Sequence, residues 1–226
     1  MPADIVILLI GDVGSGKTSF ARYATGENVS VKIPHTTDCT TYTTKCHGKH
    51  FRIIDTPGLD DFPAGNLAIL KEIAQLLRDG NYPKVGGAIF FHRITDGRFG
   101  GSARAHLDVF KAICGDSFVH QVVFATTMWD KAACDKLGGY QTNHKELEDR
   151  YFRLGSNKGR AMKFHNTMKS AEGFLDFFAS IQAQVQLLFA EEIKTLGSSL
   201  SAVRKTAAGK VVIAQGKKGP SSCAIL

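Results

Sequence analysis

Two hydrophobic periods alternate along this chain. Residues 5–10, IVILLI, form a continuous apolar run of strand length, the pattern of a strand covered on both faces. Residues 17–24 then read as a helix that Gly26 ends. Residues 39–47 and 49–55 read as two strands around a tight turn at Gly48, and Thr41 and Thr43 suit a pleated surface. This pair is expected to be an antiparallel hairpin inside an otherwise parallel sheet. Leu67, Leu70, Ile73, Ala74 and Leu77 recur at threes and fours and predict a helix over 66–79. Residues 86–93 and 119–127 are further buried strands, with a helix over 103–114 between them. A charged helix over 144–154, a short last strand at 162–164 and a long helix over 170–196 complete the pattern. The apolar face of that long helix, from Phe174 to Ile193, reads as core. Strand and helix in alternation predict an α/β fold with a doubly wound sheet.

From Gly197 the composition shifts to Gly, Ser, Ala and Lys, so residues 1–196 are expected to form one domain and 197–226 a basic tail, flexible over 206–222. No apolar run reaches the 18 or so residues of a membrane span, and the N-terminus has no basic leader. The net charge of +7 is uneven. No acidic residue follows Glu192, whereas Arg204, Lys205, Lys210, Lys217 and Lys218 do. The domain itself therefore carries no nucleic-acid signal. The five cysteines, Cys39, Cys46, Cys114, Cys134 and Cys223, show no metal-ligand CxxC spacing and read as reduced cytosolic thiols.

Chemistry enters where the first strand ends. Gly11 to Thr18, GDVGSGKT, fits the phosphate-loop pattern of Gly, four residues, Gly, Lys and Ser or Thr. The glycines permit a tight turn of positive φ, so that successive amides of Asp12, Val13, Gly14, Ser15 and Gly16 point inward at an anion. Lys17 supplies a point charge for β- and γ-phosphates, and the Thr18 hydroxyl is a Mg²⁺ ligand. Ser19 continues into a helix whose N-terminus favours anions. A second site, Asp55-Thr56-Pro57-Gly58, stands at a strand end 38 residues beyond Lys17. There a carboxylate holds Mg²⁺ through water and the Gly58 amide meets a γ-phosphate. Octahedral Mg²⁺ needs further oxygens, and the loop before the hairpin offers Thr36 or Thr37. A third site is Thr126-Thr127-Met128-Trp129-Asp130. One carboxylate can accept both adjacent donors of guanine, N1–H and N2–H₂, and adenine offers no such pair. Asp130 stands at that place, with Thr127 where an Asn is usual; Trp129 either covers the base or is core. After the last strand, Asn166 either contacts the base or belongs to a plain turn, and His165 is placed to stack.

The order GDVGSGKT, DTPG, HRITDGRFGG, TTMWD, FHNT resembles the septin and immunity-associated (GIMAP-like) branch of P-loop GTPases, and is most similar to fungal G-domain proteins. The resemblance covers about residues 5–190. It implies a Ras-like three-layer sandwich on a mostly parallel six-stranded sheet with one antiparallel strand. It also implies binding of GTP or GDP with Mg²⁺, and dimerisation across the nucleotide face. By the same resemblance Thr36 belongs to the switch, and Arg98 is an arginine offered to a partner subunit, with Arg93 as the alternative. Lys17, Thr36 and Arg98 are thus the expected catalytic set.

Ras-like enzymes place a Gln after Asp-x-x-Gly, where Leu59 stands here, so intrinsic hydrolysis is expected to be slow. The chain ends Cys223-Ala224-Ile225-Leu226, a prenylation box whose terminal Leu favours geranylgeranyl. With the basic tail it predicts a peripheral protein on a cytoplasmic membrane leaflet. Three functions stay open: a GTPase switch with unknown effectors, a GTP-dependent septin-like assembly protein with little hydrolysis, and an ATP-dependent enzyme.

Overall fold

A computed structural model describes residues 5–27, 38–59, 65–80, 85–96, 99–131, 137–181 and 185–216. The chain runs β1 (Ile5–Gly11), α1 (Lys17–Thr25), β2 (Thr40–Cys46), β3 (Lys49–Asp55), α2 (Asn66–Asp79), β4 (Val85–Arg93), α3 (Gly101–Cys114), β5 (Val122–Thr127) and α4 (Leu137–Arg150). It continues through β6 (Arg153–Leu154), β7 (Asn157–Lys158), β8 (Arg160–Lys163), α5 (Met168–Ser180), α6 (Leu188–Leu196), α7 (Leu200–Val203) and α8 (Ala207–Gly216). Six strands form one sheet in the order β2-β3-β1-β4-β5-β8, all parallel except β2, which pairs antiparallel with β3. This is the expected Ras-like arrangement, edge hairpin included.

The central strands β1, β4 and β5 are buried on both faces, and their alternation divides the core in two. Ile7 and Leu9 of β1, Ile89 and Phe91 of β4, and Val123 and Ala125 of β5 point to one layer, where α1 and α5 bring Phe20, Phe174 and Phe178. Phe20 meets Phe91, Phe164 and Phe174 at 5.3–5.5 Å between ring centroids, in tilted or edge contacts that aromatic quadrupoles favour. Gly87 opens room for Phe178, whose ring would lie 2.2 Å from any Cβ there. Leu8 and Ile10, Ala88 and Phe90, and Val122 and Phe124 point to the opposite layer, formed with α2, α3, α6 and the last helices.

That division corrects the single long helix expected over 170–196. The helix ends at Ser180, Ile181 is extended, and a second helix starts at Leu188. Phe174, Leu175 and Phe178 belong to one layer, whereas Leu187, Phe189, Ala190 and Ile193 belong to the other. A straight helix cannot bury residues on opposite sides of a sheet, so one continuous helix is excluded.

The flexible tail is also corrected, over residues 197–216. Val203, Thr206 and Ala208 are fully buried, and Val203 and Ala208 join the core layer of α2 and α3. The Glu192 carboxylate accepts from the Ala207 amide at 2.9 Å, Gly209 N donates to Thr206 Oγ1, and the Gln215 side chain donates to the Ala105 carbonyl at 2.9 Å. The small residues that suggest a linker instead let α8 approach α7, because a Cβ on Gly209 would lie 2.0 Å from the Val203 carbonyl. Arg204 and Lys205, between α7 and α8, and Lys210 on α8 remain exposed. Residues 217–226 lie outside the described part.

Gly209→Ala should therefore lower the thermal midpoint by about 3–10 °C, from an overpacking cost of about 1–3 kcal/mol. Thermal denaturation followed by circular dichroism checks this, and an unchanged midpoint would mean that α8 does not dock.

Candidate functional site

The site lies at the carboxyl ends of β1, β3, β4 and β5, where an open α/β sheet places its ligand crevice. β1 ends at Gly11 and α1 starts at Lys17, so residues 12–16 must reverse direction in a short loop. Gly14 and Gly16 do this with φ of 67° and 98°. Lys17 is buried and donates from Nζ to the carbonyls of Gly11 and Asp12 at 3.0 and 2.9 Å, which folds its ammonium back over the loop. No side chain caps the N-terminus of α1, leaving its first amides directed into the loop. The Ser15 hydroxyl is buried and has no hydrogen-bond partner among the described residues.

The second motif closes on the first. The Leu59 amide donates to the Gly11 carbonyl at 3.2 Å, forming a bridge between Asp12 and Leu59. Gly58 lies so near that a Cβ would meet Val13 backbone atoms at 2.6 Å; only glycine fits there. Thr56 anchors the turn through Oγ1 to the Leu9 carbonyl at 2.7 Å. Leu59 itself is buried in the core and presents nothing to a reacting water. Beneath this contact Thr18 Oγ1 donates to Asp55 Oδ2 at 2.6 Å, and Asp55 is fully buried. A hydroxyl and a carboxylate on adjacent elements are hard oxygen donors that suit Mg²⁺. Facing an amide-lined loop with a lysine, they fit a magnesium–triphosphate group, and Thr18 and Asp55 are the residues that would hold its cation. When bound, that cation would neutralise phosphate charge.

Three further ties fix the loop, and none of them was expected from the sequence. Thr127 Oγ1 donates to the Ser15 carbonyl at 2.8 Å, so this buried hydroxyl holds the loop to β5. The Asp12 carboxylate pairs with His106 Nδ1 on α3 at 2.5 Å. Burial pushes Asp12 up, but the His106 bond and the charges of His106, His92 and Arg93 outweigh it and hold the carboxyl below its usual 3.8. Arg93 Nη1 donates to the Val13 carbonyl at 3.0 Å, while its Nε contacts both Asp96 oxygens at 3.0 and 3.1 Å. The side chains of Asp12 and Arg93 thus brace the loop from behind. The run HRITD was singled out in the sequence with Arg93 as an alternative arginine for a partner subunit, not as a brace of this loop; His106, deep in a helix, carried no signal.

At the other end of the crevice, the two residues expected to read a base are adjacent. Asn166, held at φ 53°, donates from Nδ2 to Asp130 Oδ1 at 2.9 Å, and Asp130 is exposed. Trp129 is core: it is 7% exposed and its Nε1 donates to the Thr126 carbonyl at 3.1 Å, with Lys163 Nζ over its ring at 4.5 Å. His165 is exposed, 6.1 Å from that ring. Val13 and Ser19 are half-buried in the loop and first turn. Thr36, Thr37, Arg98 and Cys223 lie outside the described residues.

Burial holds His92 and His144 below the ordinary 6.5, and the Lys163 charge adds to this at His144. The unfolded chain therefore takes up these protons first as pH falls. The stability that two neutral imidazoles contribute is complete above about pH 6.5 and is lost progressively towards their lower folded values. Urea midpoints should fall between about pH 7.5 and about pH 5.5, and His144→Gln should flatten part of that slope.

Residues 5–194 match the model of the AIG1 family. None of the curated proteins matches the chain. Among solved structures, Toc33 from Arabidopsis thaliana in complex with GDP and Mg²⁺ is similar at 14% identity and a TM-score of 0.59, over 81% of this chain and 88% of that one. A structure concerned with the chloroplast translocon components atToc33 and psToc159, whose dimerisation is important for GTPase activity, is similar at 15% identity and a TM-score of 0.55, over 81% and 86%. The FeoB G-domain from Methanococcus jannaschii is similar at 19% identity and a TM-score of 0.50, over 78% and 96%. The likenesses establish the shared fold, the family match spans far more than half of the chain, and this protein belongs to the AIG1 family of P-loop GTPases.

Proposed function

We propose that this protein is a guanine-nucleotide switch that binds GTP with Mg²⁺ and hydrolyses it slowly to GDP. The observation that carries the reading is the Thr18–Asp55 hydrogen bond beneath a glycine loop whose lysine is folded over it. Guanine selectivity rests on Asp130, with Asn166 beside it. Slow intrinsic turnover follows from the buried Leu59, since an apolar side chain cannot orient water. Thr36 or Thr37 completes the Mg²⁺ shell in this reading, and Arg98 supplies charge to a partner subunit's phosphates. The importance of dimerisation for the GTPase activity of the chloroplast components supports an active dimer across the nucleotide face. Loss of the γ-phosphate would release the segments near Thr36 and after Gly58, changing the surface shown to effectors. An anchor at Cys223 is the remaining part of the proposal: a geranylgeranyl chain adjoining Lys217 and Lys218, with the exposed Arg204, Lys205 and Lys210 on and between the packed helices beside anionic lipid. The missing glutamine also favours a second reading, an assembly protein that holds GTP to dimerise or polymerise as septins do.

Titration calorimetry with GTP and ATP in Mg²⁺ tests the nucleotide. Lys17→Ala should weaken GTP binding by at least about 100-fold, as loss of charge-assisted phosphate bonds requires. Asp130→Ala should reduce the preference for GTP over ATP by about 100-fold, and an unchanged preference would refute the base assignment. Single-turnover hydrolysis separates switch from scaffold. The rate per chain should rise with protein concentration and lose that rise in Arg98→Ala, whereas negligible hydrolysis at every concentration would favour the assembly reading.

A further inference from the structure

Two clusters of metal-ligating side chains occur among the described residues: Asp12 with His92 and Asp96, and Cys46 with His47 and Asp176. The first is already committed. His106 holds Asp12, and the Arg93 guanidinium contacts both oxygens of Asp96, so a cation there would face a fixed positive charge. The second stands on the far side of the molecule's edge hairpin, where the β2–β3 turn meets α5. The turn is the two-residue type expected for a hairpin, with φ of 44° at His47 and 74° at Gly48. It sets His47 directly after the last residue of β2, so the thiol and imidazole share one end of the hairpin.

The three groups already converge. His47 Nδ1 lies 2.7 Å from Asp176 Oδ1, Cys46 Sγ lies 3.7 Å from that oxygen, and Sγ lies 3.7 Å from His47 Nδ1. Tetrahedral zinc, with bonds of about 2.3 Å to sulfur and about 2.0–2.1 Å to nitrogen or oxygen, separates sulfur from either by about 3.6 Å. Two of the three spacings are therefore those of a zinc site. The third, now a hydrogen bond, must open to about 3.3 Å for the ion to replace the shared proton. His47 and Asp176 are 74% and 48% exposed, free enough to make that small rotation.

We propose that Cys46, His47 and Asp176 bind a divalent ion of zinc type, with water in the open fourth position. The donor set decides the class: thiolate and imidazole select a borderline-soft ion over Mg²⁺ or Ca²⁺, so the site does not compete for the cation of the nucleotide crevice. Burial, Asp176 and Glu172 hold the Cys46 thiol above its ordinary value in the metal-free protein, so the ion must displace the thiol proton as it binds. Binding would clip the edge hairpin to α5. That hairpin leads through β3 to Asp55, so the clip restrains the element that carries a residue of the nucleotide site. The site itself rests only on these three side chains and stands or falls apart from the nucleotide reading.

The untagged full chain, reduced and with Mg²⁺ present, is titrated with Zn²⁺ against a chromophoric chelator and separately with Co²⁺. One Zn²⁺ per chain is expected, and Co²⁺ should give a near-ultraviolet thiolate charge-transfer band that Cys46→Ser abolishes. His47→Gln and Asp176→Asn should each weaken Zn²⁺ by more than the about 10–100-fold that even an outer-shell partner contributes. The metal-free His47→Gln and Asp176→Asn variants should keep the wild-type thermal midpoint, because both side chains are exposed, whereas Cys46 is half-buried against the core. Hydrogen exchange across the hairpin turn should slow when Zn²⁺ is added. A cobalt spectrum with no sulfur band, or Zn²⁺ stoichiometry unchanged in Cys46→Ser, would overturn the proposal.

Discussion

A carboxylate with no exposure to water sits at the end of β3, and the architecture of the crevice follows from what that charge requires. Burying an unscreened carboxylate costs several kcal/mol after relaxation, so Asp55 must be met by donors and by positive charge. The Thr18 hydroxyl supplies one donor at 2.6 Å, and the arrangement suits a hard cation beside it. Thr18 can reach Asp55 only because the glycine loop delivers α1 directly over the end of β1, and β3 is the parallel neighbour of β1. The sheet order, the loop and the Thr18–Asp55 pair are therefore one constraint seen at three scales.

The loop is held in that position from several sides. Leu59 bonds the Gly11 carbonyl, Gly58 packs on Val13, Thr127 holds Ser15, Arg93 holds Val13, and Asp12 is tied to His106. These contacts come from the loop after β3 and from β5, β4 and α3 in turn. Preorganisation of this kind leaves the amides aimed at an anion before any ligand arrives, which is where electrostatic stabilisation gains most. It also separates tasks within the motif. Asp12 and Thr127 spend their side chains on the scaffold, whereas Lys17, Thr18 and the inward amides face the crevice.

Much of this was legible in the chain because the signals were local. IVILLI followed by GDVGSGKT specifies strand, loop and helix within fourteen residues, and FRIID before DTPG does the same for β3. The pairing of Asp130 with Asn166 was legible only as two separate loop motifs; their contact depends on β5 and β8 being neighbours. What was not legible was long-range. The break between α5 and α6 depends on which face of the sheet each half covers, and periodicity is blind to that, since both halves are apolar at the same spacing. The last helices were misread for a related reason. Ala, Gly and Ser are the composition of a linker, and equally of helices that must pack backbone to backbone, as Gly209 does against Val203.

The central claim is that Thr18 and Asp55 form the cation seat of a nucleotide site. The dependence of GTP affinity on Mg²⁺ tests it most directly, measured for the wild type and for Asp55→Asn, which keeps the shape of the side chain and removes its charge. The account predicts that Mg²⁺ tightens GTP binding in the wild type and has little effect in the variant. Equal Mg²⁺ dependence in the two proteins would contradict it.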